Sequence, residues 1–264
     1  MNTLLTTHKS IQERLSDRGA KLSKIPWLKD GFAVDATPFS LGASFEYLLG
    51  LISIQEAAAQ FAVETLEPQP GDKVLDMCAA PGGKTTQIAA WMKNKGILVA
   101  IDESRERLYA LENNLERCCV ECCLAYRGDA NELGLGSFDR VILDAPCSGN
   151  YVTDLNWFKK RTLKNVIDNS ERQKRLLLSA IRNLKHGGTL IYTTCSLEPE
   201  ENEVNVDWLI NENLVEIKPL TGPGSPGLTE VDGKRLSQEL EKTRRFWPDE
   251  TGTQGFYVMK AIRI

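Results

Sequence analysis

The strongest local signal in the chain is Val74-Leu75-Asp76-Met77-Cys78-Ala79-Ala80-Pro81-Gly82-Gly83-Lys84-Thr85. An apolar strand leads into a glycine-rich turn, and the turn leads into the start of a helix. Glycine allows the backbone to approach a ligand closely, and a helix N-terminus presents free N–H groups to that ligand. The segment therefore predicts a ligand-binding loop at the carboxyl end of a strand.

Strand and helix patterns alternate on both sides of this loop. We expect strands at 73–77, 97–101, 124–127, 140–143, 189–193 and 256–262, and helices at 54–66, 85–92, 104–117, 171–184 and 200–210. Strands separated by helices form a parallel sheet that is covered on both faces, with ligands at the carboxyl ends of its strands. The sequence thus predicts an α/β, Rossmann-like catalytic domain over residues 46–264. Residues 1–45 lack this rhythm and are expected to form a small α+β appendage.

Composition indicates a globular protein of a reducing compartment. The chain has 264 residues, 42% of them hydrophobic, and no apolar run near the roughly 18 residues of a membrane span. The first 15 residues show no secretory signal, so no membrane partner is expected and the seven cysteines should stay reduced in the cytoplasm. An odd number of cysteines does not suit a disulfide framework.

Charge is unevenly distributed along the chain. The net charge of -4 argues weakly against a nucleic-acid partner. Residues 9–29, however, hold six basic and two acidic residues, and a second basic group follows a predicted site loop. Solvated helix faces and an RNA-binding face both explain these groups. The second group consists of Lys159, Lys160, Arg161, Lys164, Arg172, Lys174 and Arg175.

Two ligands compete for the glycine loop. Gly83-Lys84-Thr85 matches the end of a nucleoside-triphosphate loop, but Cys78 stands where that loop needs glycine, and Pro81 removes an N–H donor. S-adenosylmethionine needs an acid at the end of the next strand for its ribose, where Asp102 stands. Asp129, after the third strand, is placed to accept from an adenine amino group. These positions favour S-adenosylmethionine.

Two further loops place a cysteine just after a strand. Asp144-Ala145-Pro146-Cys147 follows the fourth strand of the domain, and Thr193-Thr194-Cys195 follows the fifth, so both thiols should face one crevice. Cytosine C5 is a poor nucleophile, and a thiolate that adds to C6 makes C5 reactive towards a methyl group. A second thiol can assist release, and Asp144 can hydrogen-bond the ring edge. A buried structural role remains the alternative for each cysteine.

The chain resembles the Nop/Sun family (also Fmu/Sun, RsmB-type) of S-adenosylmethionine-dependent RNA cytosine-5 methyltransferases. The resemblance rests on three ordered motifs and covers nearly the whole chain: Asp76 to Thr85, Asp144 to Gly149, and Thr194 to Glu203. It implies a class I methyltransferase fold with a mostly parallel sheet of seven strands. It also implies S-adenosylmethionine as the cofactor and RNA, most simply tRNA, as the partner.

The resemblance further implies residue roles. Cys195 is expected to be the nucleophile and Cys147 to assist product release, with Asp144 beside them. The implied cofactor-binding residues are Cys78, Ala79, Ala80, Pro81, Gly82, Gly83, Lys84, Asp102, Arg107, Asp129 and Asp144, and no metal ligand is implied. Local sequence does not rank the two thiols, because DNA cytosine-5 methyltransferases use a Pro-Cys cysteine as the nucleophile.

The chain departs from the family pattern in two places. The resemblance implies a strand at Asn2-Thr3-Leu4. The helices that usually precede this strand, and a separate RNA-binding domain, are not expected here, so a helper protein is a candidate partner. The Cys118-Cys119-Val120-Glu121-Cys122-Cys123 run replaces an expected glycine-containing turn, and its thiols are expected to be structural. An RNA methyltransferase, an NTPase and an RNA-binding protein without turnover all remain as hypotheses.

Overall fold

The computed structural model describes residues 1–132 and 134–264. Its helices are α1 (His8–Asp17), α2 (Phe45–Leu48), α3 (Ala57–Leu66), α4 (Gly83–Trp91), α5 (Arg105–Arg117), α6 (Trp157–Lys160), α7 (Leu163–Asn183), α8 (Glu203–Asn211) and α9 (Pro248–Thr251). Its strands are β1 (Lys21–Lys24), β2 (Phe32–Ala36), β3 (Lys73–Asp76), β4 (Ile97–Asp102), β5 (Cys123–Arg127), β6 (Phe138–Asp144), β7 (Leu184–Thr194), β8 (Val215–Lys218), β9 (Ser225–Pro226), β10 (Glu230–Val231), β11 (Lys234–Arg235), β12 (Arg244–Phe246) and β13 (Phe256–Arg263).

The described strands form one central sheet of nine, in the order β5-β4-β3-β6-β7-β13-β12-β9, with β8 also paired to β13. The five strands from β5 to β7 are mutually parallel, and β13 runs antiparallel to β7. The predicted α/β, Rossmann-like architecture is therefore confirmed. The resemblance implied a sheet of seven strands. The observed sheet has two more, the short strands β9 and β12.

The central strands are apolar on both faces because helices cover both faces. On one face, Leu75, Val141 and Leu190 pack against α7 and α8. On the other face, Val74 and Ile142 pack against α3 and α4. Adjacent residues of one strand thus enter different cores, as the two-residue period of a strand requires. The carboxyl ends of β3, β4, β6 and β7 are consequently held in fixed positions along one edge.

Three of the predicted helix starts move by three residues or more. The helix predicted from residue 54 begins at Ala57, because the Glu56 carboxylate accepts from the backbone N–H groups of Ala58 and Ala59. The helix predicted over 171–184 begins at Leu163, where Thr162 forms a capping box. The helix predicted from residue 200 starts with a 3-10 turn at Pro199–Glu201, and α8 follows it.

The N-terminal residues contain α1 and a hairpin in which β1 pairs with β2 in antiparallel fashion. Residues 3–5 form a turn, so the strand that the resemblance implied at Asn2-Thr3-Leu4 is wrong. Asn2 instead donates to the carbonyls of Gly50 and Cys118, at 3.0 Å each. Across the described ranges, none of the helices is both long and apolar enough to cross a bilayer.

Candidate active site

The glycine loop connects β3 to α4 at the centre of the sheet edge. The Ala79 N–H donates to the Ile101 carbonyl at 2.8 Å, which ties the loop to the neighbouring strand. Gly82 has φ +104°, and a Cβ there would lie 2.8 Å from Leu111 Cδ1 on α5. Both the backbone conformation and the space therefore require glycine at this position.

Asp102, at the end of β4, holds the same loop. Its buried carboxylate accepts from the backbone N–H groups of Ala80 at 3.3 Å and Ser104 at 3.0 Å. Arg107 Nη1 lies 3.4 Å from Asp102 Oδ2, and Arg107 Nη2 donates to the Ala80 carbonyl. Asn114, which sequence reasoning missed, donates to the Pro81 carbonyl at 2.9 Å. The loop shape is thus fixed by side chains from β4 and α5.

Two cavities meet at Cys78. The first, of about 310 Å³, is lined by Cys78, Asp102, Arg107 and Asp129 among others. The second, of about 490 Å³, lies over the loop itself. Its lining includes Asp76, Cys78, Ala79, Ala80, Pro81, Gly83, Lys84 and Asp144. The structure therefore gathers the sequence-predicted cofactor residues around one crevice, with Gly82 shaping the turn behind it.

Asp129 occupies the outer rim of the first cavity. Its side chain is exposed, and its Oδ1 accepts from the backbone N–H and the side-chain amide of Asn131, at 2.8 Å each. The cavity places Asp102 and Asp129 on one wall, as their positions after consecutive strands predict.

Asp76 is a site residue that the sequence interpretation passed over. It is buried at the end of β3, its Oδ2 accepts from Thr85 Oγ1 at 2.7 Å, and its Oδ1 has no hydrogen-bond partner among the described residues. Desolvation raises the pKa of this carboxyl to about 7. An acid directly before a glycine loop was the sequence signal that could have identified it. Its free oxygen suits a cationic ligand group.

Lys84 and Asp144 form an ion pair inside the crevice. Lys84 Nζ lies 2.7 Å from Asp144 Oδ2, and Thr193 Oγ1 donates to Asp144 Oδ1 at 2.9 Å. Burial alone would lower the pKa of Lys84, but the Asp144 carboxylate outweighs it and the pKa is raised. Lys84 is therefore a stable cation at neutral pH, beside the ends of β6 and β7.

The two thiols meet at the adjacent ends of these strands. Cys147 Sγ and Cys195 Sγ are 3.2 Å apart. A hydrogen bond donated by Cys147 lowers the pKa of Cys195, while burial and the Asp144 carboxylate oppose this lowering and the Lys84 charge adds to it. The same hydrogen bond, together with burial, raises the pKa of Cys147. Either sulfur can be the donor of this hydrogen bond, and donation by Cys147 favours Cys195 as the thiolate.

A buried polar network holds the two cysteine loops together. Asn150 donates to the Cys195 carbonyl at 2.7 Å, and Glu201 accepts from the Ser148 N–H at 3.0 Å and from the Ser148 hydroxyl at 2.9 Å. Asn202 accepts from the Thr194 hydroxyl at 2.6 Å. These positioning residues were not assigned from the sequence, although the Pro199 to Glu203 run was part of the third motif.

The clustered cysteines lie away from this crevice. Cys118 caps α5, and Cys119 adopts φ +53°, the left-handed conformation for which glycine was expected. Burial raises the pKa of Cys122 and Cys123. Over residues 1–132 and 134–264, no group of three or more metal-ligating side chains comes together. The run forms the turn between α5 and β5.

Comparison with known families agrees with this geometry. Residues 63–262 match the family model described as 16S rRNA methyltransferase RsmB/F, which is most of the chain and all of the central sheet. The chain belongs to this methyltransferase family. The resemblance inferred from the three motifs is therefore confirmed.

Two relatives differ in how much of their length this chain covers. It is 38% identical to the tRNA (cytosine(49)-C(5))-methyltransferase of Pyrococcus abyssi over 98% of this chain and 86% of that enzyme. It is also 38% identical to the human 28S rRNA (cytosine(4447)-C(5))-methyltransferase, again over 98% of this chain, but it spans only 33% of that protein. The relatives thus share this region and differ in what surrounds it.

Solved structures show the same fold. A methyltransferase homologue from Pyrococcus horikoshii superposes with a TM-score of 0.93 at 38% identity, over all of this chain and 85% of that chain. NSun6 from the same organism gives a TM-score of 0.86 at 26% identity, over 99% of this chain and 89% of that chain. That protein was solved with SFG, an analogue of S-adenosylmethionine.

Proposed function

We propose that the chain is an S-adenosylmethionine-dependent RNA cytosine-C5 methyltransferase that uses Cys195 as a covalent nucleophile. The observation that carries this proposal is the pair of thiols 3.2 Å apart, with opposite pKa shifts, beside the Lys84–Asp144 ion pair. Family membership and the named activities of the relatives support RNA cytosine as the target. The similarity to the Pyrococcus abyssi enzyme over most of both chains favours tRNA as the substrate.

The crevice fits S-adenosylmethionine in the charge of its lining residues. The partnerless oxygen of Asp76 suits the cofactor's ammonium group, and Asp102 and Asp129 line the cavity that suits the ribose and adenine. The backbone of Cys78 to Lys84 gives close approach, with Arg107 holding the Ala80 carbonyl. When bound, the cofactor supplies an electrophilic methyl group, which cytosine C5 takes up.

Cys195 is proposed to start the reaction on the base. Its sulfur donates an electron pair to C6, forming a carbon–sulfur bond and making C5 nucleophilic. Asp144 is proposed to hydrogen-bond the ring edge, while neighbouring Lys84 offsets the negative charge that addition places on the ring. The pKa of the Cys195 thiol, lowered by Cys147 and Lys84, raises the fraction of thiolate available for this step.

Cys147 is proposed to assist the end of the reaction. A general base, meaning a proton acceptor, removes the proton from cytosine C5. The electron pair of that C–H bond expels the Cys195 sulfur from C6. Cys147 stands 3.2 Å from the departing sulfur and can donate a hydrogen bond to it as the negative charge returns. The raised pKa of Cys147 keeps its proton available for this role.

The N-terminal residues 1–45 are proposed to be an RNA-binding appendage. The structure gives some of their basic side chains another task, because Arg14 and Arg18 pair with the buried Glu46 at 3.6 Å and 2.6 Å. Lys24 likewise donates to the Lys29 carbonyl, and Lys9 Nζ lies 3.9 Å from the exposed Glu13 carboxylate. Lys9 and Lys21 remain candidates for phosphate contacts. The target base must leave its stack or be single-stranded to enter the crevice. A helper protein and a cytoplasmic location remain predictions from the sequence.

A transfer assay with bisulfite sequencing tests the proposed function. The wild-type protein, supplied with S-adenosylmethionine and tRNA or rRNA transcripts, should protect one cytosine from bisulfite conversion. Cys195→Ser should protect none, whereas the matched Cys122→Ser variant should act like wild type. Protection by Cys195→Ser, or none by wild type on any transcript, would reject the proposal.

Ligand-induced stabilisation separates the remaining hypotheses. S-adenosylmethionine well above its dissociation constant should raise the melting temperature, and ATP with magnesium should not. The reverse pattern would select the NTPase. Stabilisation by S-adenosylmethionine without any RNA methylation would select a binding protein that lacks turnover.

A further inference from the structure

The segment from Asn150 to Lys164 carries aromatic side chains on its surface, directly after the Cys147 loop. Tyr151 is 46% exposed and Phe158 is 73% exposed. Their rings are stacked, with centroids 5.7 Å apart and planes at 19°. The Trp157 ring packs edge to face with the Phe158 ring, with centroids 5.1 Å apart and planes at 90°. We call the outward-facing stack of Tyr151 and Phe158 the aromatic platform.

The aromatic platform is fixed to the catalytic loops. Trp157 Nε1 donates to the Ser148 carbonyl at 2.9 Å, one residue beyond Cys147. Asn150 Oδ1 accepts from the Val152 N–H at 2.9 Å, while its Nδ2 donates to the Cys195 carbonyl at 2.7 Å. The platform therefore keeps a set position relative to both thiols.

Charge around the platform is opposite in sign to that of the whole chain. Residues 150–164 contain one acidic residue, Asp154, which pairs with Lys160 at 2.7 Å. The same residues include four basic side chains, although the chain carries a net charge of -4. The basic residues are Lys159, Lys160, Arg161 and Lys164. Exposed aromatic rings among cations match the phosphate backbone and bases of a single strand.

We propose that the aromatic platform stacks an unpaired base of RNA that neighbours the target cytosine, with Phe158 as the contact ring. This inference rests on the proposed function, because it places the platform beside the base that enters the thiol crevice. A base on Phe158 would extend the existing stack, and Lys159 and Arg161 would meet the adjoining phosphates. Stacking tolerates any base, so the platform contributes RNA affinity and positioning more than sequence choice.

Substitutions at Phe158 test the proposal. Phe158→Ala should raise the KM for RNA and the dissociation constant for single-stranded RNA by about tenfold or more. The rate at saturating RNA and the S-adenosylmethionine-induced stabilisation should stay at wild-type values. Phe158→Trp should retain affinity, and Phe158→Leu should behave like Phe158→Ala. The matched control is Leu155→Ala, which removes a side chain that is 92% exposed and should change nothing.

Salt dependence adds a readout that misfolding does not mimic. Phe158→Ala should leave the slope of log affinity against log salt unchanged, whereas Lys159→Ala with Arg161→Ala should make it shallower. Equal RNA affinity for Phe158→Ala and wild type, or equal loss with Leu155→Ala, would overturn the platform and point to a protein-docking surface. Failure of the proposed function looks different: wild type would bind RNA in a Phe158-dependent way without methylating it.

Discussion

The two groups of cysteines in this chain behave in opposite ways. Four cysteines stand within six positions, from Cys118 to Cys123, yet they form a turn between α5 and β5. Cys147 and Cys195 are 48 positions apart, yet their sulfurs lie 3.2 Å from each other. A high density of cysteines along the sequence therefore does not by itself create a reactive site. The parallel pairing of β6 and β7 creates one, because it brings the residues after both strands to one edge of the sheet.

The surroundings of the two groups explain the difference in reactivity. Burial raises the pKa of Cys122 and Cys123. Cys195 shares a hydrogen bond with Cys147, which lowers its pKa, and it lies beside the Lys84–Asp144 ion pair, whose two charges act on that pKa in opposite directions. Cys122 and Cys123 are consequently poor nucleophiles at neutral pH, whereas Cys195 is prepared for attack on an electrophile.

The largest effect is expected when a single thiol is removed, and it tests the contrast between the two groups of cysteines. Cys195→Ala should reduce RNA methylation by more than about a thousandfold, because covalent activation of the base is lost. Cys123→Ala should leave the rate per folded molecule unchanged. Both are measured by methyl transfer to RNA under single-turnover conditions. A comparable loss with Cys123→Ala would erase the distinction between the two groups.

Removal of the cation beside Cys195 sharpens the same contrast. Lys84→Met should slow alkylation of Cys195 at pH 7 by about three- to tenfold, because the thiolate loses a stabilising charge. Peptide mapping after a short iodoacetamide pulse gives the rate at each cysteine. Lys93→Met, on the turn after α4, is the matched control. An unchanged rate at Cys195 in the Lys84→Met variant would show that its reactivity has another source.

Asp76 gives a pH-dependent test of the strand-end environment. The folded pKa is raised to about 7, so its contribution to stability is complete below the ordinary carboxyl pKa and is lost as pH rises through 7. The free energy of unfolding of the ligand-free protein should fall by about 1 kcal/mol from this group between pH 6 and pH 8. Asp76→Asn should remove that part of the decline, as followed by urea denaturation at each pH. Parallel profiles for wild type and Asp76→Asn would contradict the assignment.

The smallest effect is expected in the cysteine turn. Cys119 adopts φ +53°, where a side chain costs about 1 kcal/mol relative to glycine. Cys119→Gly should raise the free energy of unfolding by about 0.5 kcal/mol, since extra freedom of the unfolded chain offsets part of the gain. Chemical denaturation measures the change, and RNA methylation should be unaffected. Destabilisation would mean that the Cys119 side chain contributes to packing after all.

Much of this arrangement was predictable because it depends on local pattern and topology. The strand at 73–77, the glycine loop and the strands before Cys147 and Cys195 follow from apolar runs and turn residues. A parallel sheet then brings the loop ends together without further information. The places of Asp102 and Asp144 follow from the same rule.

Polar caps and long-range contacts set what the apolar pattern did not reveal. The start of α7 depends on a local cap at Thr162, outside the apolar periodicity of the helix. β12 and β9 are three and two residues long and are held by pairing with distant strands. The partnerless oxygen of Asp76 and the ranking of the two thiols arise from burial and hydrogen bonds between separate segments.

Trapping the covalent intermediate tests the central claim most directly. Cys147→Ala and Cys147→Ser proteins, incubated with S-adenosylmethionine and a transcript that wild type methylates, should each accumulate an adduct that survives a denaturing gel. Mass spectrometry should locate the RNA on Cys195. The serine variant should accumulate less of it than the alanine variant, because it keeps a hydrogen-bond donor that can assist the departing Cys195 sulfur. An adduct on another cysteine, or an adduct in Cys195→Ala but not in the Cys147 variants, would contradict the account.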